Sequence, residues 1–339
     1  MGSYVLKRVL LFVPTFIIIT MITFLICRMA PGDPVEMKVG GNTQEGMSAD
    51  GKNVISEQAK KYYRQKFGLD KPLYMQYVIW MGNMFTGDFG NSFKDDRPVI
   101  NKITERLPVS IGLQLSSLII IYLIAIPIGI LSAVKQNSFA DKASTVWLFI
   151  LYSLPNFWVA TLAIVFLANV EYIKLFPTSG IQSLDYDYLS FFGKIFDRVW
   201  HFILPVTILS LGSFAFLSKQ MRSSMLEVIR QDYIRTAKAK GLSDKKVIFK
   251  HALRNSLIPI ITILAGILPA MVGGSFIIET IFSIPGIGQL GIQAIYDRDY
   301  PLIMALLAIV SVLTVIGVLI ADLLYAVVDP RIAFSKKTS

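Results

Sequence analysis

Cysteine, histidine and charge are all scarce in this 339-residue chain, and each scarcity excludes something. One cysteine, Cys27, and two histidines, His201 and His251, are present. A single thiol rules out an internal disulfide and leaves no cysteine-based metal cluster. Bulky Ile26 before Cys27 does not suit a lipoprotein anchor, so Cys27 reads as a small apolar residue near a helix end. His201 and His251 are not spaced as a metal pair and read as surface or interface residues. Charged residues make up only 17% of the chain against 54% hydrophobic ones, with mean hydropathy +0.57. Such a balance is wrong for a soluble globule. Also missing is any G-x-x-x-x-G-K-[ST] phosphate loop, so the chain shows no means of binding ATP by itself.

What is present instead is a set of long runs without Asp, Glu, Lys or Arg. Six stand out: Val9–Cys27, Leu107–Val134, Ala143–Val170, Val199–Ser218, Asn255–Ile278 and Tyr300–Ala321. Each reaches the roughly 17–25 residues that a helix needs to cross a bilayer. The expected fold is therefore an all-α integral membrane protein with six transmembrane helices. The first run is longer than the apolar core of a usual signal peptide and is followed by no small-x-small cleavage site, so it reads as a retained span.

Net charge is +10, but the basic residues sort by loop rather than forming a nucleic-acid surface. With the N-terminus inside, cytoplasmic segments hold Lys7, Arg8, Lys135, Lys142, ten Lys and Arg between 219 and 254, then Arg331, Lys336 and Lys337. The two short external loops hold Lys174, Lys194, Arg198 and Arg298 against Glu171, Asp185, Asp187, Asp197, Glu279, Asp297 and Asp299. The positive-inside bias then predicts an N-in/C-in orientation.

Taken in order, the chain divides into an N-terminal span (1–28), an external segment (29–106) and a core with five further spans (107–334). Pro31–Pro34 stops the first helix, and 40–53 is a loop rich in Gly, Asn and Ser. Ser56–Phe67 reads as a charged helix with Ser56 as N-cap. Leu73, Tyr77, Trp80, Met81, Met84 and Phe85 fall on one helical stripe suited to the membrane interface or to packing against spanning helices. Pro127 with Gly129, and Ser153-Leu154-Pro155-Asn156, mark kinks in the second and third runs, and Pro205 interrupts the fourth. The uncharged stretch Thr280–Tyr296 holds Pro285, Gly286, Gly288 and Gly291, so it reads as an external loop and a short surface or re-entrant helix, not a seventh span.

Gly286-Ile287-Gly288-Gln289-Leu290-Gly291 matches G-x-G-x-x-G without the strand, helix and acidic residue that a dinucleotide site requires. These glycines read as places where backbone packs closely. The six runs carry no ionisable residue of the kind that proton-coupled carriers place in the membrane, apart from His201 near one end. Nor do they hold paired carboxylates or a nucleophile beside a base, so an integral-membrane enzyme lacks support. A pathway without its own energy source is left.

Lys219 to Pro259 is the only long, strongly charged segment between two apolar runs on the expected cytoplasmic side. Met221, Met225, Val228 and Ile229 repeat at helical spacing, as do Phe249, Ala252, Leu253, Ser256 and Leu257. Gly241 sits between them as a helix C′ residue, with Ser243 or Asp244 as the next N-cap. Two uses fit this basic elbow: lying on anionic lipid, or receiving a partner.

Asp232-Tyr233-Ile234-Arg235-Thr236-Ala237-Lys238-Ala239-Lys240-Gly241, followed by Ala252–Pro259, resembles the EAA loop of ABC importer permeases. Thr236 stands where the Glu of that motif would be, a variation common in the peptide-permease branch. RMAPGDP (Arg28–Pro34), GLDKP (Gly68–Pro72), GDFGNS (Gly87–Ser92), ETIFSIPGIG (Glu279–Gly288), RDYP (Arg298–Pro301) and DPR (Asp329–Arg331) are similar to stretches of that branch, in order along nearly the whole chain. The 40–55 loop is less typical.

The resemblance, closest to B-type permeases of dipeptide and oligopeptide importers, implies a type I importer fold in a bacterial inner membrane. It implies a non-identical second permease, two cytoplasmic ATPases that carry the ATP and magnesium, and an extracytoplasmic peptide-binding protein. Ala237, Lys238, Ala239, Lys240, Gly241, Leu242 and Ser243 would form the coupling helix that docks on one ATPase. No catalytic residue, metal or cofactor is expected on this chain. Nickel chelates, glutathione or another small solute would suit the same architecture, and an ion-coupled carrier or channel is the alternative from another class.

Overall fold

The computed structural model describes residues 2–29, 35, 57–66, 68–264 and 266–328. Pro31–Pro34, the 40–55 loop, Ser56, Asp329–Arg331, Lys336 and Lys337, on which sequence expectations rest, lie outside these residues. The described residues are almost entirely helical, and their only β-pairing is an isolated bridge between Asn91 and Pro98. Two compact units are present: 2–108 with 290–312, and 109–289 with 313–339.

Among the described residues, four helices suit a membrane crossing by length and composition: α1 (Gly2–Met29), α4 (Val99–Val134), α7 (Phe191–Ile229) and α15 (Tyr300–Val328). A bent pair of helices is long and apolar enough for a fifth crossing when counted as one span. Helix α5 (Phe139–Ser153) and α6 (Asn156–Ala163), the latter prolonged by a π-helical turn to Ala168, meet at 88°. Pro155 has no N–H to continue α5 and holds Leu154 extended at ψ 124°, which places the kink where the sequence marks it. Pro127 and Pro205, by contrast, are accommodated within unbroken helices. Ser190 caps α7 by accepting from the Gly193 amide at 3.2 Å.

The fifth apolar run departs from the expectation of one continuous helix. It is divided among α10 (Leu253–Ser256), α11 (Ile258–Leu264), α12 (Ile267–Gly273) and α13 (Phe276–Ile281). Gly266 is the N-cap of α12, Pro269 lies in its first turn, and Gly274 ends it at φ +65°. Absence of charge marks an apolar environment; it does not keep a backbone helical through Gly and Pro.

In the unit 2–108 with 290–312, α2 (Glu57–Lys66) and α3 (Leu73–Phe85) follow the expected positions. The α3 stripe packs on α1. Phe24 meets Tyr77 edge-on at 5.5 Å and lies 6.1 Å from Trp80, while Tyr77 Oη and Thr20 Oγ1 share a hydrogen bond of 3.0 Å. Leu73 and Phe85, at the stripe's ends, stay exposed. Buried Cys27 belongs to this apolar cluster, as expected of a small residue near the helix end.

In the unit 109–289 with 313–339, α4 and α7 approach through small residues. Ser117 and Ser210 hydroxyls are 2.9 Å apart, and Ser218 Oγ donates to the Ala125 carbonyl at 3.1 Å. A Cβ on Gly129 would come 2.6 Å from Met221 Cβ, so this crossing depends on glycine. Between α4 and α5, buried Asp141 accepts from Ser132 Oγ, from the Asn137 amide at 2.9 Å and from both Nε and Nη2 of Arg222 at 2.8 Å. That fork ties the turn to α7. His201 is buried rather than superficial, with Nδ1 2.8 Å from the Asp197 carbonyl.

Candidate functional site

Three motif-bearing places have a built geometry. The first is the basic elbow. Helix α7 ends at Ile229, Arg230 and Gln231 form a turn, and α8 (Asp232–Ala239) starts in a new direction. α8 ends in a Schellman motif: the Gly241 amide donates to Lys238 O at 2.9 Å and the Leu242 amide to Ala237 O at 3.4 Å. Gly241 takes φ +78°, as its expected C′ role requires. Ser243 then precedes α9 (Asp244–Lys246), which continues as π-helical Val247–Ala252 into α10.

Burial sorts this elbow into two faces. Ile234 and Ala237 point inward with Met221, Met225, Val247 and Ala252. Excluding Ile234 from water stabilises the hairpin by about 1.5–3 kcal/mol. Lys238, Ala239, Lys240, Gly241 and Ser243 are exposed, and Leu242 is half-buried. Residues 237–243 are thus not one helix: they comprise the last turn of α8, its cap and the start of the next helix. Phe249, expected on the inner stripe, is 54% exposed, and Val247 takes the inner place. The π-helical stretch accounts for the shift, because it advances the helix face relative to α spacing. Asn255 Nδ2 donates to Tyr233 Oη at 2.7 Å, closing the hairpin across its base.

The second place is Glu279, counted from sequence as an external loop charge and found fully buried. Its carboxylate accepts from Ser110 Oγ at 2.9 Å, from the Ser275 amide at 3.2 Å and from the Gln289 amide at 2.8 Å. Gln289 lies in the first turn of α14 (Ile287–Tyr296), where the positive end of the helix dipole also favours a negative group. Ser110 Oγ in turn accepts from the Ile287 amide at 2.7 Å. One carboxylate and one hydroxyl therefore hold α13, the following loop and the start of α14 to α4.

Glycines of the refused dinucleotide pattern make room for this arrangement. A Cβ on Gly286 would fall within 2.6 Å of Ser110 Oγ and closer still to the Glu279 carboxyl. One on Gly288 would lie 2.6 Å from the Phe276 amide nitrogen. Close backbone packing, as expected, is the role of Gly288, whereas Gly286 makes room for side chains and Gly291 meets only the Leu306 side chain at 3.6 Å. Ser283 adopts φ +50° to close α13, with its amide on Thr280 O at 3.2 Å and that of Ile284 on Glu279 O at 2.7 Å. A non-glycine residue held there stores about 1–2 kcal/mol of strain.

The third place joins GDFGNS to RDYP in the unit 2–108 with 290–312. Asp299, also counted as an external charge, is buried; it accepts from Ser92 Oγ and from the Phe93 amide at 2.9 Å. Lys102 Nζ lies 3.9 Å from Asp299, 2.9 Å from Asp95 and 3.0 Å from Ser92 Oγ. At the rim, Lys94 pairs with Asp297 at 2.7 Å. Burial pulls the Asp95 carboxyl upward, but bonds from Lys102, Ser92 and the Arg97 amide outweigh it and hold it below the usual carboxylate range. Asp299→Ala would remove the acceptor of Ser92 Oγ and of the Phe93 amide and is expected to cost about 2–4 kcal/mol. The check is the unfolding midpoint of the detergent-solubilised protein, with Lys94→Ala, an exposed pair, as a near-neutral control.

Each motif thus has a structural partner, and two of the three pairs join parts of the chain far apart in sequence. Comparison with known proteins gives the same pattern of motifs a context. A family model described as "Binding-protein-dependent transport system inner membrane component" matches residues 125–334, and the corresponding N-terminal model matches 1–114. The oligopeptide transport system permease protein AppB of Bacillus subtilis (strain 168) is 42% identical over 336 residues, covering 98% of this chain and 100% of that protein. The dipeptide transport system permease protein DppB of the same organism is 37% identical, covering 99% and 100%. The inner membrane ABC transporter permease protein YejB of Escherichia coli O157:H7 is 36% identical, covering 98% and 99%. Among solved structures, an inward-facing form of the MetNI methionine ABC transporter is 16% identical at a TM-score of 0.49, over 68% of this chain and 97% of that one.

Proposed function

The chain belongs to the family of binding-protein-dependent transport system inner membrane components, and from that premise we propose that it is the B-type permease subunit of an ATP-driven peptide importer. The carrying observation is similarity to oligopeptide and dipeptide permeases over nearly the whole length of this chain and all of theirs. Peptides are favoured over nickel chelates or glutathione because AppB and DppB, which match this chain over nearly its whole length, are named for oligopeptides and dipeptides.

In this reading the chain crosses the inner membrane six times, N-in and C-in, with the third crossing bent at Pro155 and the fifth built from short helices. It forms half of the pathway, and a non-identical permease forms the other half. An extracytoplasmic binding protein delivers peptide, and two ATPases bind below. The coupling surface is the exposed part of the elbow: Lys238, Ala239, Lys240, Gly241 and Ser243, with Leu242 at its edge. Ala237 contributes from inside, holding the end of α8 against α7 and Val247. ATP and magnesium belong to the ATPases, so this chain has no chemistry of its own to perform. Its contribution is mechanical: a push on α8 passes into α7 through the buried cluster that Ile234 shares with Met221, Met225, Val247 and Ala252.

Gentle purification from native membranes tests the assembly. Recovery of two ATPases and a second permease in stoichiometric amount is expected, together with peptide uptake by reconstituted vesicles that needs internal ATP. Uptake driven by an ion gradient in vesicles lacking ATPases would overturn this reading in favour of a stand-alone carrier.

A further inference from the structure

A cleft of about 350 Å³ opens among α4, α5 and α7, in the unit 109–289 with 313–339. Leu148, Phe149, Tyr152 and Phe216 wall it, and Lys219 and Arg222 stand at one end. The walls are apolar yet open: Phe149 is 69% exposed, Tyr152 60% and Phe216 56%. The cleft lies at the low end of the size range for small-molecule sites. Its basic end is where α7 leaves the apolar run Val199–Ser218, so Lys219 is the first charge past the expected bilayer.

The two cations differ in what they have left to give. Arg222 spends Nε and Nη2 on Asp141, which neutralises and orients it. Lys219 is exposed. The end of the cleft therefore carries positive charge beyond what Asp141 balances, above a slot that suits a hydrocarbon chain. The geometry points to a binding site for one anionic phospholipid, its phosphate on Lys219 and the Arg222 edge and one acyl chain along Phe149, Tyr152 and Phe216. Basic pockets between spanning helices on the cytoplasmic side are suited to such headgroups. This assignment rests on the proposed N-in orientation, which puts Lys219 in the cytoplasmic leaflet. It gives the membrane a handle on α7 in its cytoplasmic half, about three turns before the helix ends at Ile229.

Native mass spectrometry of the intact detergent-solubilised complex, titrated with phosphatidylglycerol or with phosphatidylcholine of the same chains, tests it. Wild type is expected to retain one more phosphatidylglycerol than phosphatidylcholine. Lys219→Glu should weaken that retention by roughly tenfold or more, and Phe216→Ala should weaken retention of the whole lipid. Equal retention of the two lipids, or equal phosphatidylglycerol retention by wild type and K219E, would overturn the site. So would full displacement by soluble glycerol phosphate, which would mark a simple anion site. ATP-dependent uptake is measured after the same preparations are reconstituted into vesicles. Lipid selectivity without any uptake would refute the importer reading and leave the lipid site standing, and uptake without selectivity would do the reverse.

Discussion

Gly241→Val is expected to abolish ATP-driven uptake while the protein remains in the membrane at near-normal amount. At φ +78° a β-branched residue costs about 1–2 kcal/mol of backbone strain. A Cβ there would meet nothing within 4 Å, so no steric clash adds to that cost. The buried anchors of the hairpin, Ile234, Ala237 and Val247, are untouched, and the chain can relieve the strain by unwinding the cap. What is lost is the direction of the exposed turn from Lys240 to Ser243, because the paired bonds to Lys238 O and Ala237 O hold only with a left-handed C′ residue. Gly241→Asn, which tolerates that conformation better, is expected to retain a substantial share of uptake. Ala239→Asp should uncouple by a different route. It places a negative charge at the C-terminal end of α8, opposed by the helix dipole by about 0.3–1 kcal/mol, on the proposed docking face. The measurements are uptake, co-purified ATPase and membrane abundance of each variant. Wild-type uptake with wild-type ATPase association in both Gly241→Val and Ala239→Asp would remove the elbow from the coupling mechanism.

Local features of this kind were legible in sequence because their causes are local. A Gly after an amphipathic turn, a Leu-Pro pair inside an apolar run and an aromatic stripe at helical spacing specify a C′ cap, a kink and a packed helix within a few residues. Glu279 and Asp299 were misplaced for the opposite reason. Their partners Ser110 and Ser92 are 169 and 207 positions away, beyond the reach of any periodicity. A usable signal did exist. Glu279 is flanked by Phe276, Ile277, Ile278, Ile281 and Phe282, an apolar setting in which an acidic residue needs donors. Gly286 and Gly288 stand a short loop away as the sort of backbone that can supply them. The broken fifth run shows the same limit from another side: lack of charge measures the solvent around a helix, whereas Gly266, Pro269 and Gly274 decide its continuity.

Glu279→Ala should be among the most damaging single changes in the chain, because it empties a site where every group depends on another. Ser110 Oγ and the Ser275 and Gln289 amides lose their acceptor together. Ser110 is fully buried and the two amides are half-buried, so the loss is about 1–3 kcal/mol for the hydroxyl and less for each amide, still a large share of the 5–15 kcal/mol that holds a typical domain folded. Glu279→Gln keeps the shape but turns one acceptor into a donor that faces backbone amides, so an intermediate loss is expected. Gly286→Ala should be comparably harmful without removing any polar group, since its Cβ would overlap both the carboxyl and Ser110 Oγ. These two lesions occupy the same space, and their combination is therefore diagnostic. Removing the carboxylate makes room for the Gly286 methyl, whereas the crowding by Ser110 Oγ persists. The double variant Glu279→Ala/Gly286→Ala should consequently be less destabilised than the sum of the singles, by about 1 kcal/mol or more. Unfolding midpoints of the four proteins in detergent measure that coupling. Strict additivity would mean that Glu279 and Gly286 do not share a packed site, and the account of this loop as held by one buried carboxylate would have to be given up.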